Sequence, residues 1–371
     1  MSIFVKSVLI GALLPSVAMA SNTALPEHDY PYWLPDEVNQ EGVLDAFQTV
    51  VSAPAKTLDL EMTQPIQIAL IYPSADLSDF WVSNYKALTA RLNDLGIQYR
   101  IDEYSSRQIE HSLQTRYTNE VLKRAEQYDY VIFGPSELSV QADNIQLLSA
   151  IDTFKTYVWA FHTPIKSWAH QPDAWFDFSS SAGAQVLCEF MLQRLGEDVY
   201  FAMNRGIPGI TDDQRSGEFK SCVETEGNWL SLYEHFGQYQ AGGGRDGAAL
   251  ITESFPEVTM LHNANTAMTL GALEYLKEHQ LMNQLYVTGW GGTAAEIDQI
   301  KQSYLNATPM RMGDDVGVAT AEAIKLTLEN KVDQVPKVYL GRIQVVDDQM
   351  SNEEINALTS EAFRYSSRPA P

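Results

Sequence analysis

Along this chain short apolar runs alternate with segments whose apolar positions recur at spacings of three and four. That rhythm is what a parallel sheet covered by helices on both faces requires. The first run spans residues 66–72, and the helical pattern after it, over about 80–95, places Trp81, Tyr85, Leu88 and Leu92 on one face. Gly96 then supplies the left-handed residue that closes a helix. Strands are predicted next at 98–102, 130–134 and 157–161, separated by helices at 119–128 and 144–152.

After Thr163-Pro164 the rhythm restarts. Strands at 175–178, 199–203, 229–233, 260–263 and 286–290 alternate with helices at 182–195, 214–226, 245–254 and 268–279. A third stretch holds a helix at 295–303, a strand at 306–309, a helix at 316–328 and a last strand at 338–346. The fold class is therefore α/β, with two doubly wound parallel-sheet lobes and a cleft between them. The leftover elements must join sheets already begun, so the chain crosses between lobes more than once. The expected division gives 65–161 and 292–335 to lobe 1, 162–291 and 336–350 to lobe 2, and 351–371 to a C-terminal tail.

The N-terminus has a different pattern. Lys6, an apolar run over 8–17 and Ala18-Met19-Ala20 before Ser21 read as a secretory signal peptide over 1–20. Pro15 interrupts the run, which is too short to span a bilayer, and no later stretch reaches the roughly 18 apolar residues a spanning helix needs. The expected location is the periplasm. Residues 21–64 read as an arm packed on a larger body, with an aromatic and proline cluster from Tyr30 to Pro35 and a helical pattern through Val43, Phe47, Val50 and Val51.

Composition narrows the partners. The 25 Lys+Arg against 48 Asp+Glu leave a net charge of −23, which repels phosphate backbones and anionic membrane surfaces. The 45% hydrophobic content is enough for more than one core. Only Cys188 and Cys222 are present, and an oxidising compartment permits a bridge between them without requiring it.

In open α/β sheets, ligands bind beyond the carboxyl ends of strands. The first such loop carries Asp76, Ser78, Asp79 and, opening the helix, Trp81. Ser78 or Asp79 can equally cap that helix, and Trp81 can equally be core. A second large aromatic stands at another strand end, in Gly289-Trp290-Gly291-Gly292-Thr293. Two such tryptophans on different lobes suggest a stacked, ring-shaped ligand. The glycines there could form an anion nest, but the spacing is neither that of a P-loop nor that of a dinucleotide fingerprint.

Arg215 falls near a predicted helix start, where the dipole disfavours it, and Arg311 follows a strand between two methionines. Either the neighbouring Asp212, Asp213, Asp314 and Asp315 neutralise them, or the two guanidiniums grip a compact anionic or polyhydroxylated ligand from opposite sides of the cleft. Catalytic patterns are lacking: the seven His residues have no paired metal spacing, and Asp76 and Asp79 are badly placed to flank a sugar. His162 and His262 stand at strand ends, where each could approach the cleft, though a hydrogen-bonded polar neighbour is the commoner role of a lone histidine there.

Together the leader, the alternation and the cleft resemble the periplasmic sugar-binding proteins of the ribose-binding type. More narrowly, the chain is similar to the autoinducer-2 receptors of the LuxP type. The stretches that carry this are Tyr72-Pro73 with Leu77-Ser78-Asp79-Phe80-Trp81-Val82, Gly289-Trp290-Gly291-Gly292 with Ala295-Glu296, Met310-Arg311-Met312 with Asp314-Asp315, and the ending Ala362-Phe363-Arg364-Tyr365-Ser366. The resemblance implies that Ser78, Trp81, Arg215, Thr266, Trp290 and Arg311 contact the ligand, a cyclic furanosyl borate diester in that family. It implies a LuxQ-type sensor kinase as partner through its periplasmic domain, and no cofactor. Asp76, Ala160 and Ala267 stand where the family pattern has Gln, Asn and Asp. A carboxylate at 76 repels a borate anion, which favours a neutral furanose or another small polyol. The alternatives are a sugar-binding protein of an ABC importer and, from another class, a periplasmic hydrolase of a sugar ester.

Overall fold

The computed structural model describes residues 33–73, 80–107, 110–136, 138–159 and 164–368. The signal peptide expected over 1–20 lies outside the described residues. Two six-stranded sheets form the framework. The chain runs through β1 (Ile66–Pro73), β2 (Tyr99–Ser106), β3 (Tyr130–Phe133), β4 (Lys155–Trp159), β5 (Ala174–Asp177), β6 (Tyr200–Arg205) and β7 (Leu230–Phe236). It continues with β8 (Met260–Asn263), β9 (Tyr286–Thr288), β10 (Ala307–Arg311), β11 (Val338–Leu340) and β12 (Ile343–Asp347). The first sheet is ordered β11-β5-β4-β3-β1-β2, the second β12-β10-β9-β8-β6-β7. Every pairing is parallel except that of β10 with β12.

Burial follows from that order. With helices on both faces, both sets of alternating side chains leave water. In β1, Ile68 and Leu70 enter one apolar cluster while Ala69 and Ile71 enter the cluster on the opposite face. The second sheet divides likewise: Ala202 on β6 packs on one side, Phe201 and Met203 on the other.

Three strands depart from the expected division. β5 belongs to the first sheet, where it sits between β4 and β11. With β4 and β5 in one sheet, the expected crossing between them does not occur; it comes later, where Ser179 caps the helix Ser180–Leu195 by accepting from the Ala182 N–H. β10 belongs to the second sheet, beside β9, because the short helix Ala294–Lys301 returns the chain directly to that neighbour. The predicted strand over 338–346 is two strands, β11 in the first sheet and β12 in the second, joined across Gly341 and Arg342. A Cβ on Gly341 would lie 2.4 Å from the Phe178 ring, so the turn between sheets needs glycine.

The chain thus crosses between sheets three times, after β5, after β10 and after β11. The middle crossing leads into the helix Asp315–Leu328, which is buried nearly all round. It packs on the first lobe through Gly317, whose N–H donates to Asn84 Oδ1 at 3.0 Å. The arm covers the β11 edge: Asn39 donates to the Val338 carbonyl at 2.8 Å and accepts from the Lys337 N–H at 2.7 Å. Its helix Val43–Ser52 adds Phe47 and Val51 to the core, as the pattern predicts. At the other end, the helix Asn352–Ala362 packs on the second sheet and the next turn puts Tyr365 into the core of the first. Cys188 and Cys222 are joined in a disulfide that ties the helix Ser180–Leu195 to the helix Glu218–Gly227.

Candidate functional site

The carboxyl ends of both sheets, together with the first two crossings, bring a small set of charged and aromatic side chains into one neighbourhood. Arg311 is the last residue of β10. Its guanidinium stacks at 5.3 Å from the Phe80 ring centroid and 5.9 Å from that of Phe178, so an arginine carried by the second sheet lies against aromatic rings of the first lobe. Trp81 stands directly behind Phe80, edge to face at 5.0 Å, and is buried against Gly134 at the end of β3.

Arg215 sits in a π-helical turn, Asp213–Gly217, where a regular helix start is predicted. Such turns widen the helix and re-aim a side chain. Here Nε donates to Ser180 Oγ at 3.3 Å and Nη1 to the Ala264 carbonyl at 3.4 Å. The guanidinium lies over Trp290 at 5.6 Å and over Tyr239 at 6.0 Å. The two arginines are close enough to act on each other: burial, and then the Arg215 charge, push the Arg311 pKa down to about 10. Both remain cations at neutral pH.

The four aspartates that neighbour them in sequence are engaged by other groups. Arg205, at the end of β6, takes Asp212 at 2.6 Å, Asp213 at 3.3 Å and Glu234 at 2.7 Å. Asp315 is held by Arg342 at 3.4 Å and Arg364 at 2.9 Å. Asp314 accepts from the backbone N–H groups of Tyr365 and Ser366 at 2.6 and 2.9 Å. Among the described residues no carboxylate forms an ion pair with Arg311.

The glycine-rich loop after β9 is built around an internal anion. The buried Glu296 carboxylate accepts from the N–H groups of Trp290 at 3.0 Å and Gly292 at 2.8 Å, and from the Thr308 hydroxyl at 3.1 Å. Gly292 has φ of 61° and passes so close to Met310 that a Cβ would lie 2.2 Å away. The nest the sequence suggests is therefore filled by Glu296, whose burial raises its pKa. Thr266 closes the same corner: its hydroxyl is 3.2 Å from Thr293 Oγ1 and 3.5 Å from the Trp290 carbonyl. His262 lies behind Trp290, stacked on Phe219 and 3.0 Å from Thr288 Oγ1, and burial pushes its pKa down to about 3. It is a neutral structural imidazole.

Trp81, Arg215, Thr266, Trp290 and Arg311 are thus gathered at the strand ends, with both indoles buried. Asp76, Ser78, Ala160 and His162 lie outside the described residues. One expectation is corrected: the arginines do not approach from opposite lobes, since β10 joins the second sheet and carries Arg311 with it. Asp177, Phe178 and Phe80 are the additions. Asp177 ends a strand immediately before a serine cap, the same signal that singles out the loops after β1 and β9. Among the described residues no group of three or more His, Cys, Asp or Glu could hold a metal ion, and no helix is long and apolar enough to cross a membrane.

A family model described as the periplasmic binding protein domain matches residues 68–331. Among solved structures, a periplasmic ribose ABC transporter protein from Conexibacter woesei superposes with a TM-score of 0.70 at 12% identity, over 82% of this chain and 98% of that one. A solute-binding protein from Actinobacillus succinogenes with bound D-allose gives 0.66 at 17% identity, over 79% and 100%. One from Bacillus halodurans with bound myo-inositol gives 0.64 at 14%, over 82% and 99%. At these identities the likeness is one of fold.

Proposed function

The chain belongs to the periplasmic binding protein domain family, and from that premise we propose that it holds one small, oxygen-rich solute of the sugar or polyol class between its sheets and releases it unchanged. The observation that carries this reading is the pair of guanidiniums, Arg215 and Arg311, lying close enough to repel each other among aromatic rings at the carboxyl ends of the strands. Flat rings take the apolar face of a sugar and forked donors take its oxygens. Two lobes joined by crossing segments close on a ligand by a hinge motion. Family and structural neighbours are solute-binding proteins, which supports binding without turnover.

Delivery to an ABC importer is the downstream role that the neighbours support. A second reading is a receptor for autoinducer-2, or a closely related furanose, that signals to a LuxQ-type sensor kinase. It is favoured by the arginine pair, which suits a charged cyclic ligand, and by the arm that covers the β11 edge. Calorimetric titration with D-ribose, D-allose, myo-inositol and autoinducer-2, with and without borate, tests both. Binding at one site per chain, weakened about 30-fold or more in Arg311→Met, is expected. Failure of every compound to bind would overturn the sugar-class reading, and capture of importer subunits instead of a kinase periplasmic domain would remove the signalling one.

A further inference from the structure

Two sequence motifs stand outside the proposed ligand set: Asp314-Asp315 and the ending Ala362-Phe363-Arg364-Tyr365-Ser366. The structure joins them at the hinge. The second crossing runs from Arg311, the last residue of β10, to Asp315, the first of the helix Asp315–Leu328, and the third passes through Gly341 and Arg342. The C-terminal turn is a further link, since Ala362 packs in the core of the second sheet and Tyr365 in that of the first. Where the pattern predicts a tail, the chain makes a strap.

These three links are fastened to one another. Asp315, fully buried, stands 3.4 Å from Arg342 Nε and 2.9 Å from Arg364 Nη2. The Asp314 carboxylate accepts from the Tyr365 and Ser366 N–H groups, and its own N–H donates to the Ala362 carbonyl at 2.9 Å. The Met312 N–H donates to the Arg342 carbonyl at 2.9 Å, and Arg342 Nη1 holds Glu361 at 2.7 Å. Gly313 passes so close to Phe363 that a Cβ would lie 2.5 Å from its ring.

We propose that this cluster, centred on Asp315, is a latch across the hinge that limits how freely the lobes turn and so how often Arg311 stands where a ligand can use it. Turning one lobe on the other twists the links between them relative to one another. The Asp315 contacts join side chains from three such links, so a rotation cannot leave all of them unchanged. An ion pair within one lobe behaves differently: Arg91 and Glu322 both pack in the first lobe and move together. Asp315 is thus a positioning residue, acting through the segment that carries Arg311. Releasing the latch spreads the unliganded chain over more arrangements, and that freedom must be given up on binding. Apparent affinity then falls by the fraction of chains left in the binding arrangement, a factor common to every ligand. The effect on affinity rests on the sugar-binding reading above, whereas the latch belongs to the unliganded chain.

The first measurement needs no ligand. Pulsed electron–electron double resonance follows the distance between spin labels at Glu120→Cys, exposed on the helix His111–Lys123 of the first lobe, and Asp246→Cys, exposed on the helix Ala241–Ser254 of the second. A broader distribution than in the otherwise unchanged chain is expected in Asp315→Asn and in Arg364→Met, and an unchanged one in Glu322→Gln, which breaks a pair inside one lobe. No broadening in Arg364→Met, or equal broadening in Glu322→Gln, overturns the latch even if Asp315→Asn fails to fold. The second measurement titrates D-ribose, D-allose and myo-inositol into wild type and Arg364→Met by calorimetry. Every one that binds the wild type is expected to weaken by the same factor, about tenfold. Unequal factors, a gain in affinity or no change overturn the positioning role. If none of the three binds the wild type, the sugar-class reading fails for these probes and the distance measurement alone decides the latch.

Discussion

Arg91 and Arg311 are both withdrawn from bulk water, and the chain treats them in opposite ways. Arg91, from the helix Phe80–Asp94, donates through Nε to Glu322 at 2.7 Å and through its terminal nitrogens to the carbonyls of Ala53 at 3.0 Å and Val50 at 3.2 Å, with Tyr365 completing the set. Those partners come from the arm, the helix Asp315–Leu328 and the C-terminal turn, so one guanidinium fastens three distant segments. Arg311 has aromatic faces and a repelling neighbour instead. The contrast distinguishes an arginine whose donors the fold consumes from one that, among the described residues, has no carboxylate in an ion pair and is proposed to meet a ligand.

Breaking the first kind has the largest effect. Glu322→Ala leaves the Arg91 charge buried without its anion and is expected to cost about 3–5 kcal/mol in urea unfolding. Reducing the Cys188–Cys222 bridge, which closes a span of 34 residues, is expected to cost about 3–4 kcal/mol and to loosen the helix that follows Arg215. Next comes the second kind of arginine: Arg311→Met should weaken ligand binding by about 2 kcal/mol or more, read by calorimetry.

His262 shows a third way to bury a base, which is to discharge it. Its pKa is about 3 in the folded protein against an ordinary 6.5, so the unfolded chain binds the extra proton between those values. Its contribution is fully present above pH 6.5 and is lost, at roughly 1.4 kcal/mol per pH unit, as pH falls towards 3. A His262→Gln variant should flatten that acid limb in pH-dependent unfolding curves. The smallest effect is the stability change in Arg311→Met, expected within about 1 kcal/mol because no ion pair is lost.

Periodicity made most of the elements legible, because a strand covered on both faces and an amphipathic helix leave different apolar spacings. Sheet membership was not legible. Whether β5 or β10 closes beside one neighbour or another depends on which face a connecting helix buries, and Gly341 looks like any loop glycine until the Phe178 ring is seen beneath it. The strand-end rule singled out Trp81, Trp290 and Arg311, and the helix-dipole argument Arg215; the structure places Arg215 over Trp290, and Arg311 against Phe80 beside Trp81. Neither showed that the loop after β9 encloses Glu296, since a helix residue six positions on gives no sign of turning back to the loop N–H groups.

The central claim is that Arg215 and Arg311 together hold a single small polyoxygenated molecule. Mass spectrometry of compounds released on denaturing the protein, purified alongside an Arg215→Met/Arg311→Met double variant of matched thermal stability, tests it most directly. The account predicts one hydroxyl-rich compound in stoichiometric amount from the wild type and none from the variant. Equal amounts of the same compound from both would contradict it.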